Sequence, residues 1–257
     1  TELGIDESMS ESNWDIWLEA VEKQIPDYLL DGCFTWYVAE KEYETAILSK
    51  HDKWCIADNV KLFEKENQVS GTLIRQNPIK YWKKIAKPFR PYFSTNILIT
   101  GTASEGKSTL TRDIATYFGI PYSEEYGRSY MEFYGKTDVD LTINDFQEFL
   151  IEQRRDTKAK IESDGNEGIV ISDTDNLVTL MYAMAYAKDD AIDLTEKDFK
   201  SLQILAENLK RGITWDKIFL LPPKNTFVDD GTRYMKQSSM LERNMNYERL
   251  RALLNHF

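Results

Sequence analysis

Asn96-Ile97-Leu98-Ile99-Thr100-Gly101-Thr102-Ala103-Ser104-Glu105-Gly106-Lys107-Ser108-Thr109 decides how this chain folds. A short apolar run of the kind that forms a buried strand, Asn96 to Thr100, leads into a loop with two glycines, and Lys107 to Phe118 then reads as a helix. The pattern G-x-x-x-x-G-K-[ST] is met at Gly101, Gly106, Lys107 and Ser108, between the strand and the helix that a P-loop requires. Glycines let the backbone turn tightly enough for several N–H groups to point inward, and the helix N-terminus adds its positive end. Gly101, Ser104, Glu105, Gly106, Lys107, Ser108 and Thr109 are therefore read as the cradle for ATP phosphates. Lys107 reaches the outer phosphates, and the Ser108 hydroxyl faces Mg²⁺.

Working outward, strand and helix signals alternate from Ser94 onward, the mark of a parallel sheet with crossover helices. Ile120 to Ser123, Gly168 to Ser172 and Lys217 to Leu221 read as further strands. Helical stretches are expected near Ile143 to Ile161, Asn176 to Ala187, Asp198 to Leu209 and Tyr247 to Phe257. The fold class expected for residues 94–257 is thus α/β, a P-loop NTPase-type parallel sheet flanked by helices. Before it, Glu11 to Leu30 carries Trp14, Trp17, Leu18, Val21 and Ile25 at helical spacing, and Phe34 to Val38 reads as a strand. No element is assigned over Cys55 to Val69. The aromatic, basic, proline-punctuated segment Pro78 to Phe93 reads as a short helix and a connector.

The 257 residues, 42% hydrophobic, are enough for two modest packed domains. With 43 acidic against 32 basic residues the net charge is −11, which argues against a general nucleic-acid surface. Cys33 and Cys55 lack metal-ligand spacing, and two cysteines make no disulfide framework. No apolar run approaches the roughly 20 residues of a membrane span, and Thr1 to Ser12 does not resemble a signal peptide. The expected setting is the cytoplasm. The composition leaves the oligomeric state open, a homo-oligomer included.

The carboxylates after the P-loop point to phosphoryl transfer. The second strand ends in Ser123-Glu124-Glu125-Tyr126-Gly127-Arg128, where an acid could take the proton of a hydroxyl being phosphorylated. Glu125 is the candidate base, and Tyr126 and Arg128 are candidate substrate contacts; a solvated, acid-rich helix start is the plainer alternative. The third strand runs into Asp173-Thr174-Asp175, as a Walker B strand does. Either aspartate suits Mg²⁺, a hard cation that prefers oxygen, and either could merely cap a helix. The assignment carried forward pairs Asp173 with Ser108 on the metal and gives Asp175 to the substrate. In Asp229-Asp230-Gly231-Thr232-Arg233, Arg233 is the candidate that offsets charge on the transferring group, with a surface loop arginine as the alternative. Lys107, Glu125 and Arg233 form the catalytic set.

In this order the P-loop, Glu125-Tyr126-Gly127-Arg128, Ser172-Asp173-Thr174-Asp175 and Asp229-to-Arg233 motifs resemble the NadR-type family, which joins a nicotinamide-nucleotide adenylyltransferase to a ribosylnicotinamide kinase. The likeness covers Asn96 to Phe257 as kinase. Val69 to Trp82 and Arg90 to Phe93 are similar to the junction where the Rossmann-like transferase ends, with Ser70, Thr72 and Arg75 at its ATP-phosphate segment. The division implied is 1–93, transferase end plus connector, and 94–257, kinase. The resemblance implies phosphorylation of a nucleoside 5′-hydroxyl, with nicotinamide riboside as the substrate, in NAD biosynthesis or salvage. It also has departures. No His-x-Gly-His motif surrounds His51 or His256, so adenylyl transfer is not expected; Leu73 stands where a basic residue is usual. Glu124 and Ala159 occupy the places of the family's two stacking aromatics, and a further strand would follow Phe257. Two other readings stay open, an ATP- or NAD-sensing regulatory module and a kinase for another nucleoside. DNA binding through Lys80 to Arg90 is not expected.

Overall fold

The computed structural model describes residues 14–24, 35–49, 60–63, 69–210 and 213–256. It forms two compact units, Thr1–Gln68 and Val69–Phe257.

The first unit holds α1 (Trp14–Glu22), β1 (Trp36–Val38), α2 (Lys41–Leu48) and β2 (Val60–Leu62). Strands β1 and β2 run parallel, Trp36 opposite Val60 and Val38 opposite Leu62, as a β-α-β crossover demands. Val38 and Ile47 are its buried centre, with Trp17, Trp36 and Val60 packed around them. Trp14, Trp17 and Tyr43 meet edge to face, their centroids 4.8 to 5.9 Å apart. β2 falls in the stretch to which no element was assigned, because three residues with two of them exposed leave no periodic signal. Cys33, Cys55 and His51 lie outside the described residues.

The second unit opens with α3 (Gly71–Gln76) and two 3₁₀ turns, Trp82–Lys84 and Lys87–Tyr92. Then follow β3 (Thr95–Gly101), α4 (Lys107–Phe118), β4 (Tyr122–Ser123), α5 (Tyr126–Tyr134) and α6 (Ile143–Glu162). The chain continues through β5 (Ile169–Asp173), α7 (Asn176–Lys188), α8 (Glu196–Leu209), β6 (Lys217–Leu221) and α9 (Met240–His256). The sheet is wholly parallel in the order β4-β5-β3-β6, so the P-loop strand is central and β5 lies beside it, Ile99 opposite Asp173. Capping boxes start α6 (Thr142, Asp145) and α8 (Thr195, Asp198), and left-handed Gly119 and Gly135 end α4 and α5. Ile99, Ala115 and Ile171 pack one face of the sheet; the larger core joins Phe146, Leu150, Leu180, Met181, Leu202 and Leu250 from α6 to α9.

The compact boundary at 68/69 falls ahead of the sequence division at 93/94. Residues expected as a connector are core residues: Trp82 and Ile85 are buried with Ile161, Val170 and Ile213. Arg90, 5% exposed, donates through Nη1 to the carbonyls of Glu162 (2.8 Å) and Ser163 (2.9 Å), closing the C-terminal end of α6. Its guanidinium lies 5.6 Å from the Trp82 ring. Two helices extend beyond the sequence reading. α5 carries no helix assignment in the sequence reading, since only Met131 of its nine residues is buried and no apolar period marks it. α9 starts at Met240 rather than Tyr247, because its first turns bury the polar Arg243 and Asn246.

Candidate active site

The P-loop turns on three residues with positive φ: Gly101 (150°), Ser104 (64°) and Gly106 (77°). At Gly101 a Cβ would come 2.8 Å from the Leu221 carbonyl oxygen, so the first glycine is required by the β3–β6 pairing as well as by its φ. Lys107 Nζ donates to the Thr102 carbonyl at 2.9 Å, and the Ala103 N–H donates to the Tyr182 hydroxyl at 2.8 Å. Among the described residues, the N–H groups of Ser104, Glu105 and Gly106 have no backbone acceptor. These inward donors, in front of the twelve-residue α4, are what an anion needs.

Two side chains of the loop act differently from the expectation. Ser104 Oγ accepts from the Val228 N–H (3.0 Å) and donates to its carbonyl (3.3 Å). Glu105 is buried in an ion pair with Arg243, and its Oε2 accepts from the N–H groups of Lys224 (3.1 Å) and Asn225 (3.3 Å). Both side chains are thus engaged outside the cradle, which leaves the backbone of the two residues as their possible contribution to it. Thr109 is exposed on α4.

Glu125, at the N-terminal boundary of α5, is held by what surrounds it in sequence: Gln153 accepts from the Tyr126 N–H (2.8 Å) and donates to the Glu124 carbonyl (3.0 Å). Its Oε2 is buried without a hydrogen-bond partner, and Arg128 lies 3.6 Å away. Burial pushes the Glu125 carboxyl up, but the fields of Arg233, Lys107 and Arg128 outweigh it and hold the group below the ordinary carboxylate value. Lys107 is shifted down by burial, against the pull of Glu125 and Asp173. Arg233 loses from burial and gains more from Glu125, Tyr182 and Asp138, so it is firmly charged. The structure brings together Lys107, Glu125, Arg128 and Arg233 as the sequence suggested.

Arg233 is not a loose surface arginine: its side chain is 9% exposed and its Nε donates to Asp230 at 3.3 Å. Asp138 pins this segment, accepting from the Tyr234 N–H (2.8 Å) and the Tyr186 hydroxyl (2.7 Å), while its own N–H donates to the Thr232 carbonyl. Burial pushes the Asp138 carboxyl up. Glu125, Gly127, Asp138, Phe149, Tyr182 and Arg233 line a cleft beside the cradle. Asp138, Gln153 and Tyr182 escaped the sequence reading, being isolated polar residues within apolar or helical stretches.

Asp173 ends β5 with Oδ1 buried and unpartnered, and the Ser108 hydroxyl hydrogen-bonds to the carboxylate. Burial and the nearby Glu125 push it up. This donor set, one carboxylate and one hydroxyl beside the cradle, fits Mg²⁺. Among the described residues no group of three or more His, Cys, Asp or Glu could hold a metal. Asp175 does not join the site. It caps α7, accepting from the Leu177 N–H (3.1 Å), and takes the Trp215 indole N–H (3.1 Å), so both oxygens are used. It faces a separate cavity of about 380 Å³ with Arg154, Leu209, Trp215 and Leu254. Tyr126 also departs from its expected place: its ring packs against Tyr130 and Phe149, its hydroxyl reaches Glu148 (3.4 Å), and Gly127 lines the cleft instead. Ser70 caps α3 through the Leu73 N–H, with Thr72 and Arg75 bonded to each other at 3.4 Å. Among the described residues no helix is long and apolar enough to cross a membrane.

A parallel sheet with its P-loop strand in the centre, and a charged cleft opposite the loop, defines the class as a P-loop kinase-like domain. Residues 96–257, more than half of the chain, match the family model described as AAA domain (AAA_28). The chain belongs to that family and is homologous to NadR, of which it carries the kinase-domain part. It is 23% identical over 228 residues to the trifunctional NAD biosynthesis/regulator protein NadR of Salmonella typhimurium, and 23% over 226 residues to that of Escherichia coli. Each alignment takes in 88% of this chain and 51% of the relative, so the chain spans about half the length of these relatives. A crystal structure of NadR protein in complex with NR superposes with a TM-score of 0.68 at 30% identity, over 98% of this chain and 67% of that one. A second, of NadR protein with NAD and AMP-PNP, gives 0.65 at 28% identity over the same shares.

Proposed function

We propose that this chain transfers the γ-phosphoryl group of ATP to the 5′-hydroxyl of a nucleoside, and that the nucleoside is nicotinamide riboside. The observation that carries the reading is the Glu125 carboxylate, kept ionised by three cations, with its Oε2 buried and without a hydrogen-bond partner in a cleft beside the P-loop. The NR and AMP-PNP complexes of the NadR protein support the choice of both substrates. Aromatic walls, Phe149 and Tyr182, suit a flat base in the absence of aromatics at Glu124 and Ala159.

In the proposed reaction Glu125 accepts the 5′-hydroxyl proton. The 5′-oxygen forms its bond to the γ-phosphorus as the bond to the β,γ-bridging oxygen breaks, leaving ADP. Lys107 and the loop amides hold the phosphates, and Arg233 offsets the charge spread over the transferring group. Arg128 steadies Glu125 and Asp230. Ser108 and Asp173 would hold Mg²⁺, which supplies charge neutralisation when bound. The setting we propose is NAD biosynthesis or salvage in the cytoplasm.

The test is ADP release with MgATP and a panel of nucleosides. Turnover is expected with nicotinamide riboside, and preference for another nucleoside would replace the substrate. A chain that binds MgATP but turns over none of them would instead be a nucleotide-sensing module.

A further inference from the structure

Arg243 is the largest fully buried charged side chain described, 2% exposed, in the first turns of α9. Its Nη1 donates to the Asn225 carbonyl at 2.7 Å, and its Nη2 to the Ala103 carbonyl at 3.1 Å and to Glu105 Oε1. The Phe227 ring lies 6.0 Å from the guanidinium carbon. Since Glu105 Oε2 takes the N–H groups of Lys224 and Asn225, one ion pair ties together three pieces distant in sequence: the P-loop, the 224–227 segment and α9.

A buried ion pair is weak evidence for stability, because desolvation offsets its attraction and apolar replacements often serve as well. Its effect here is on direction. The Ala103–Ser104 peptide is a rigid plane whose carbonyl and N–H point opposite ways. With the carbonyl held by Arg243, the Ser104 N–H is turned to the opposite side, where it has no backbone acceptor among the described residues. The Glu105 carboxylate is held outward by the same guanidinium, leaving that residue's N–H free for the cradle. The planar fork serves the Ala103 and Asn225 carbonyls from two separate nitrogens, a geometry that the point-like ammonium of lysine does not reproduce.

We infer that Arg243 is a positioning residue for the phosphate cradle: through the Ala103 carbonyl and Glu105 it sets the loop amides inward and couples the cradle to the segment leading to Arg233. This rests on the reading that the P-loop binds ATP.

The experiment uses the full chain as wild type, as Arg243→Lys, and as the neutral pair Glu105→Gln with Arg243→Met. MgATP affinity is measured by calorimetry beside the melting temperature, and KM for MgATP and for nicotinamide riboside beside kcat. The Lys variant keeps a charge for Glu105 but not the paired carbonyl contacts, so a modest fall in melting temperature is expected, while its MgATP affinity, measured well below that temperature, is expected at least about tenfold lower. The neutral pair is expected to bind MgATP more weakly by roughly tenfold or more, with KM for the nucleoside moving far less. Wild-type MgATP affinity in the Lys variant, or affinity losses that follow the melting temperature across the proteins, overturns the inference. A wild type that binds MgATP without turnover removes the kinase reading alone, and one that does not bind MgATP removes both.

Discussion

Glu125 meets two opposed influences, burial that favours the neutral acid and three cations that favour the carboxylate, and the cations win. Glu125→Gln removes the proton acceptor while leaving the cradle intact. It is expected to lower kcat by about 10²- to 10⁴-fold with MgATP affinity within roughly threefold of wild type. A loss of less than tenfold would take the base role away from this residue. The pH dependence follows from the same balance. With its carboxyl held below the ordinary carboxylate value, Glu125 stays ionised at neutral pH and contributes no acid limb there to kcat/KM for the nucleoside. Arg233→Gln removes the largest of the lowering charges, so the carboxyl titrates higher and the acid limb moves up in pH. A pH profile of this variant that kept the wild-type limb would show that Arg233 does not set the charge on Glu125. The linkage to stability has the matching sign: the folded value is the depressed one, so the stabilisation is present above the ordinary value and lost as pH falls through the folded one.

Among the elements, the junction of β3 with the P-loop is the least forgiving. Gly101 combines a φ of 150° with a carbonyl oxygen 2.8 Å from where a Cβ would stand, and that oxygen belongs to Leu221 of the neighbouring strand. Gly101→Ala must therefore shift β6 or the loop. A loss of about 1–3 kcal/mol in denaturant unfolding is expected, together with weaker MgATP binding. Gly119, the left-handed end of α4, has open space where its Cβ would be. Gly119→Ala should cost only its backbone strain, about 1–2 kcal/mol, and leave MgATP binding unchanged. Equal nucleotide affinity in the two variants would separate the strand contact from the cradle. The helices show why periodicity has limits: α5 buries one residue of nine, whereas the opening turns of α9 bury Arg243 and Asn246.

For the whole molecule, the 68/69 boundary gives residues 69–93 to the P-loop unit, where Trp82 and Ile85 cover Ile161 and Val170 and Arg90 closes α6. A chain starting at Val69 is expected to fold and bind MgATP with the affinity of the full chain. One starting at Ser94 would expose that apolar cluster and leave the Glu162 and Ser163 carbonyls without Arg90; it should melt at much lower temperature or aggregate. Comparable melting of the two fragments, measured by calorimetry, would favour the division at 93/94 over that at 68/69.

The sequence by itself determined the P-loop, the strands and helices on either side of it, and the α/β class. Those rest on local periods and on glycines at fixed spacing, and α4 and β6 fall where the pattern put them. It also named Lys107, Glu125, Arg128 and Arg233, because acids and arginines at strand ends and in loops are visible one segment at a time. Only the tertiary structure decided which of them meet. It turned the Ser104 and Glu105 side chains away from the phosphates, gave Asp175 to a helix cap and Trp215, and moved Tyr126 off the cleft. It also introduced Asp138, Gln153, Tyr182 and Arg243. Their roles depend on buried polar groups finding partners far along the chain, a requirement that leaves no local pattern to read.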